Sequence, residues 1–148
     1  MKARQAPVQA AVKSPHAPVI RLRIDFAENS RVGPGKIDLL EAIRKSGSIS
    51  QAARDLGMSY RRAWLLIDSF KVTFREPVTM AQTGGRGGGG IALTKFGQEL
   101  IDTYRALERE IAALAPQRLG SLIAAVVPRP APKSAALRRR RSRLSVRH

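Results

Sequence analysis

The chain contains no cysteine. That excludes a disulfide framework, a thiol nucleophile and a thiolate-held metal. Its two histidines, His16 and His148, lie near opposite ends, and no paired carboxylates mark a cleft. No nucleophile–base or metal constellation can therefore be assembled, and an enzyme is not expected. No apolar run approaches the roughly 20 residues that cross a bilayer. The first residues include a few cations but no apolar stretch after them, so a secretory leader is not expected and cytoplasmic residence is. Acids are scarce as well, 11 against 27 Lys and Arg, for a net charge of +16. Such an excess favours a polyanionic partner, nucleic acid or an anionic membrane surface.

The acids that exist are confined. Residues 1–18 carry Lys2, Arg4 and Lys13 and no acid, and residues 116–148 carry nine cations and no acid. Twelve of the sixteen net charges thus sit in flanks rich in Ala and Pro, a composition that buries too little apolar surface to offset the entropy of ordering. Both flanks are expected to be disordered: a basic segment over 1–18 and an Arg-rich tail over 116–148. The folded unit is expected over 19–115, as one domain.

Hydrophobic spacing outlines that unit. Ile20, Leu22, Ile24 and Phe26 alternate with Arg21, Arg23 and Asp25, which predicts a half-buried strand. After the breaker Gly33-Pro34-Gly35, a helix is predicted to bury Ile37, Leu40 and Ile43 and to end at Gly47 in a left-handed cap. Ser48 or Ser50 can cap a short helix through Leu56. Gly57-Met58-Ser59 forms a turn, and a longer helix is predicted from Tyr60 to Phe74 with Ala63, Ile67, Phe70 and Phe74 along one stripe. Val78–Met80 and Ile91–Leu93 read as two short strands around a glycine-rich loop. Thr94 caps a last helix expected to stop before Pro116.

Two helices joined by a short Gly-containing turn form a DNA-reading unit whose second helix enters the major groove. Ala52 and Ala53 are small where the helices must cross, and Leu56, Ala63 and Ile67 are expected to share their core. At 100° per residue, Arg61, Leu65 and Asp68 then fall opposite Ala63, flanked by Arg62 and Trp64. Arg61 and Arg62 are placed to bond guanine or phosphate, and Leu65 to touch a thymine methyl. The candidate DNA-contacting set is Ser48, Ser50 and Gln51, then Ser59, Tyr60, Arg61, Arg62, Trp64 and Leu65, with Lys71 beyond them. Gly85, Gly87 and Gly90 satisfy a dinucleotide-type G-x-G-x-x-G, but neither a long strand before nor a helix after supports that use. The run reads instead as a wing carrying one cation, Arg86, to DNA. The overall class is mainly α with a small β-wing: a winged helix-turn-helix.

Four segments carry a resemblance. Gly47-Ser48-Ile49-Ser50-Gln51-Ala52-Ala53, Ser59-Tyr60-Arg61-Arg62-Ala63-Trp64, Thr83 through Gly90, and Leu93-Thr94-Lys95-Phe96-Gly97 resemble the N-terminal DNA-binding domain of ModE-type molybdenum-responsive regulators. They are more loosely similar to the LysR-type domain. The resemblance implies a sequence-specific transcription regulator of duplex DNA, acting as a homodimer on a palindromic operator. It does not carry over the oxyanion site, which that family builds in later β-barrel domains, so an oxyanion effector is not expected here. No cofactor is expected.

The stripe Leu100, Tyr104, Leu107, Ile111 and Leu114 repeats at coiled-coil spacing and is expected to be the dimer seam. An alternative function is an architectural, nucleoid-type protein held on DNA by Arg138-Arg139-Arg140-Arg141, since phosphate neutralisation alone gives sequence-independent binding. The tail has no amphipathic face, so a membrane partner is not expected.

Overall fold

In the computed structural model, which describes residues 18–83 and 89–127, the first strand is shorter than the alternation suggests. Only Ile24–Ala27 (β1) pairs, antiparallel to Ser30–Val32 (β2). The register slips between Asp25 and Ala27, and Phe26 is more than half exposed, its ring edge-on to Phe74. Phe26 is therefore not the inward strand residue that the alternation predicts. Asn29 turns the hairpin with φ +61°, a left-handed conformation that asparagine tolerates better than most residues. The alternation gives no sign of the second strand, which is only three residues long.

Helix α1 (Pro34–Ser46) places proline at its first turn, where a missing N–H costs nothing. It buries Ile37, Leu40 and Ile43 as expected, and Leu39 as well. Gly47 ends it at φ +65°, and its carbonyl accepts the Ile91 N–H at 3.0 Å, so the cap of α1 also anchors the wing. Ser48 caps α2 (Ile49–Asp55) by accepting the Gln51 N–H, and Gly57 at φ +64° makes the corner. Ser59 caps α3 (Tyr60–Asp68) by accepting the Arg62 N–H.

The expected single helix to Phe74 is not continuous. A 3₁₀ turn, Ser69–Val72, follows α3, and hydroxyls accompany the change: Ser69 Oγ donates to the Leu66 carbonyl and Thr73 Oγ1 to that of Ser69. Such side-chain bonds compete with the α-helical ladder. Phe70 is nonetheless buried and Phe74 packs on the core, so the predicted stripe survives the change of winding. Leu56, expected in the shared core, is exposed at 37%. Ala52, Ala53, Ala63 and Ile67 fill that contact instead.

The wing strands are Thr79–Gln82 (β3) and Gly90–Leu93 (β4), antiparallel with Thr79 opposite Leu93. Thr94 Oγ1 donates to the Pro77 carbonyl and accepts the Gly97 N–H, tying the base of the wing to α4 (Lys95–Ala124). Gly97 lies against β3's lead-in so closely that a Cβ there would meet the Val78 carbonyl oxygen at 2.1 Å.

The predicted stop at Pro116 is corrected as well. Proline removes one N–H from the ladder, yet α4 contains Pro116 and continues to Ala124. Residues 116–124 are thus helical rather than disordered. Of the other residues expected to be disordered, 1–17 and 128–148 lie outside the described ones. Residues 18–117 form one compact unit. Its core gathers β2, α1, α2, α3, the wing strands and the start of α4, through Val32, Leu39, Ala53, Ile67, Leu93 and Ile101 among others. Together these elements are a winged helix-turn-helix, mostly helical with two small antiparallel sheets.

Candidate nucleic-acid interface

The outward face of α3 forms because Ala63 and Ile67 face the core. Tyr60, Trp64 and Leu65 are all about half exposed, an unusual concentration of large apolar surface on a short helix, and Arg61 and Arg62 are exposed beside them. Tyr60, Arg61, Trp64 and Leu65 together line a shallow hollow of about 330 Å³. Lone exposed apolar residues need no explanation, but a contiguous group does.

A second concavity, of about 170 Å³, brings the wing to the helix-turn-helix. It is lined by Ser48, Ile49, Ser50, Tyr60, Gly89, Gly90 and Ile91. Three of the sequence-selected residues, Ser48, Ser50 and Tyr60, therefore meet at the root of the wing. The hydroxyls of Ser48 and Ser59 already accept capping N–H groups, so each has its own proton left to donate outward. Gln51 is more committed. Its amide donates to Asp55 at 2.7 Å and accepts from Arg54 at 2.7 Å.

Lys71 is also engaged, its ammonium 2.6 Å from Asp68 and 5.9 Å from the Trp64 ring centre. Arg61 and Arg62 differ. Among the described residues, which include all eleven acids, neither has a carboxylate within salt-bridge distance. Arg86 lies outside the described residues.

Sequence reasoning passed over Arg31 and Lys36, which share a third hollow, of about 250 Å³, with Arg62. Their stretch reads in sequence mainly as the breaker Gly33-Pro34-Gly35, and only the fold brings it beside α3. Burial, and then the charge of Arg31, push the Lys36 ammonium below the ordinary lysine range.

The proposed dimer stripe divides in two. Tyr104 is buried, its hydroxyl donating to the Leu22 carbonyl, and Leu100 packs on the core. Leu107 and Leu114 are exposed and Ile111 is half-buried. Among the described residues no helix is long and apolar enough to cross a membrane, and no cluster of acids or histidines could hold a metal.

Comparison with known proteins finds sequence relatives over more than half of the chain. The molybdenum-pterin-binding protein MopB of Rhodobacter capsulatus is 42% identical over 85 residues, 57% of this chain and 32% of MopB. The molybdenum transport protein ModE of Azotobacter vinelandii is 40% identical over 90 residues, 61% of this chain and 33% of its own length. The DNA-binding transcriptional dual regulator ModE of Escherichia coli K12 is 41% identical over 88 residues, 60% of this chain and 34% of its own. The chain thus spans about one third of the length of these relatives. No family model matches it. Among solved structures, a LysR family transcriptional regulator superposes with a TM-score of 0.43 at 16% identity, over 57% of this chain and 27% of that one. Over the matched stretch, this chain is similar in sequence to the ModE and MopB proteins.

Proposed function

We propose that this protein is a sequence-specific transcription regulator that reads duplex DNA with α3 and steadies it with the wing. The observation that carries the reading is the outward face of α3: two arginines without acidic partners beside Tyr60, Trp64 and Leu65, next to the root of the wing. Arginine bonds guanine edges in the major groove, and apolar side chains pack on thymine methyls. The name of the E. coli relative, a DNA-binding transcriptional regulator, supports the same use of the matched stretch. Residence in the cytoplasm, with the DNA, follows from that role. Selecting bound fragments from a randomised duplex pool at physiological salt tests the reading. A short consensus is the expected result. Even recovery of all sequences would replace it with sequence-independent packing through Arg138–Arg141.

The active form is a homodimer joined along the outer part of α4. Leu107, Ile111 and Leu114 support this, since they keep the 4, 3 spacing of a seam while lying clear of the core. Two protomers then present two α3 helices to half-sites one or more DNA turns apart, which makes the consensus palindromic. Leu114→Asp would put an unpaired charge into that seam. Sedimentation is expected to show a dimer for the wild type and a folded monomer for the variant. A wild type that is monomeric at high micromolar concentration would remove the dimer from the account.

A further inference from the structure

At 100° per residue the two flanks of α3 are distinct. Tyr60 and Trp64 lie on one flank, with Tyr60 at the root of the wing, and Arg62 and Leu66 lie on the other. On that second flank the chain builds the third hollow, where β2, the start of α1 and α3 meet. Pro34, Met58 and Leu66 supply an apolar floor, and Arg31, Lys36 and Arg62 stand around it. None of these three cations has a carboxylate within salt-bridge distance among the described residues, although every acid of the chain is described. The fourth cation at the hollow, Arg23, is paired with Asp25 at 2.9 Å.

Lys36 is held rather than free to wander. Its ammonium donates to the Arg31 carbonyl at 2.7 Å and sits 5.2 Å from the centre of the Phe70 ring. An ammonium has three N–H donors, so two remain for a ligand. Holding like charges together over an apolar floor is unfavourable without an anion, and among the described residues no acid pairs with these three.

We propose that Arg31, Lys36 and Arg62 form a clamp for the sugar-phosphate backbone of the same duplex that α3 reads, on the flank opposite the wing. The proposal rests on the DNA-reading role given above and deepens it, because it separates two arginines that are neighbours in sequence. Arg61 points away from the core at the centre of the reading face and contacts base edges. Arg62 belongs with Arg31 and Lys36 and contacts phosphate. The apolar floor suits the deoxyribose faces between successive phosphates. The wing and the hairpin β1–β2 then hold the backbone on the two sides of the recognition helix.

The test measures affinity of the full chain for a selected duplex and for a random duplex over a salt series. The variants are Arg31→Gln, Arg31→Lys, Lys36→Gln, Arg62→Gln and Arg61→Ala, with thermal melting to confirm that each folds. A phosphate contact contributes about 0.9 to the slope of log affinity against log salt, about eightfold at 0.1 M relative to 1 M. Arg31→Gln, Lys36→Gln and Arg62→Gln are each expected to lose about that factor on both duplexes alike and to lower the slope by about 0.9. Arg31→Lys keeps the charge and is expected to keep the slope. Arg31 is exposed, so its variants remain informative even where Lys36→Gln weakens the fold. If Arg61→Ala relaxes sequence discrimination while Arg31→Gln and Arg62→Gln leave slope and affinity unchanged, the clamp is wrong and the DNA-reading role stands. If Arg62→Gln weakens only the selected duplex, Arg62 reads bases and the clamp is wrong. If the wild type binds neither duplex, both fall together.

Discussion

The contact between α1 and α4 and the outward face of α3 both carry arginine, and the fold treats them in opposite ways. Arg105 is three-quarters buried, and its guanidinium bonds Glu41 twice, at 2.9 and 2.8 Å, and Asp38 and Glu108 at 2.6 Å each. These bonds raise its pKa further above the usual arginine value, and the Arg105 bond in turn holds the Glu41 carboxyl below the ordinary carboxylate range. On α3, Arg61 and Arg62 are exposed, with no carboxylate within salt-bridge distance among the described residues. An arginine satisfied inside its own chain holds two elements together and has nothing left to offer. One left unsatisfied adds little to stability and is available to a polyanion. The comparison predicts that the two regions respond separately to mutation, one in stability and the other in recognition.

The largest expected effect lies at the junction that supports the stable side. Gly97→Ala would drive a Cβ into the Val78 carbonyl oxygen at 2.1 Å, and the backbone on one side must move. A loss of about 3 kcal/mol is expected, which for a domain of this size is a fall in Tm of roughly 12–24 °C. A melting curve like the wild type's would show that α4 and the base of the wing have slack that the geometry denies.

Next comes Arg105→Met. It leaves Asp38, Glu41 and Glu108 facing one another without their cation. The site is partly open, so the loss is expected at about 2 kcal/mol, below the value for a fully buried pair. Sequence discrimination on DNA should be unchanged in the fraction that remains folded. Equal damage to stability and discrimination would break the comparison.

Titration of the same region gives an effect of comparable size. Burial, then the charge of Glu108, push the Tyr104 hydroxyl from 10.0 up to about 12. A folded-state pKa above the unfolded one means stability that is complete below pH 10 and lost as pH rises toward 12. The loss is expected to reach of order 2 kcal/mol, and Tyr104→Phe should flatten that alkaline limb in a series of melts. Glu41 has the opposite sign. Its stabilisation is present above the ordinary value of 4.5 and is lost as pH falls through its lower folded-state value.

Much of this division is visible in the sequence where local chemistry decides it. Gly47 and Gly57 end helices at positive φ, Ser48, one of the two serines offered, caps the next, and the exposure of Arg61, Trp64 and Leu65 follows from helical spacing around Ala63. What escapes is set by contacts distant in the chain. Tyr104 continues a seam in the sequence, but its hydroxyl reaches Leu22 and its ring fills the core. Arg31 and Lys36 look like cations beside a breaker until β2 and α1 bring them to Arg62. Pro116 is an ordinary stop signal by composition, and α4 continues past it. The three-residue strand β2 is too short to show a period.

The most direct test of the central claim is discrimination by α3 itself. Affinity of wild type and Arg61→Ala for a selected duplex, and for duplexes changed at one base pair at a time, separates reading from attraction. The expected result is a loss of about 1–3 kcal/mol on the selected site, with discrimination relaxed at one position and preserved at the others. A variant that discriminates as well as the wild type at every position would contradict the account. Loss of discrimination on removing Arg138–Arg141 alone would then assign recognition to the tail, with α3 reduced to a scaffold.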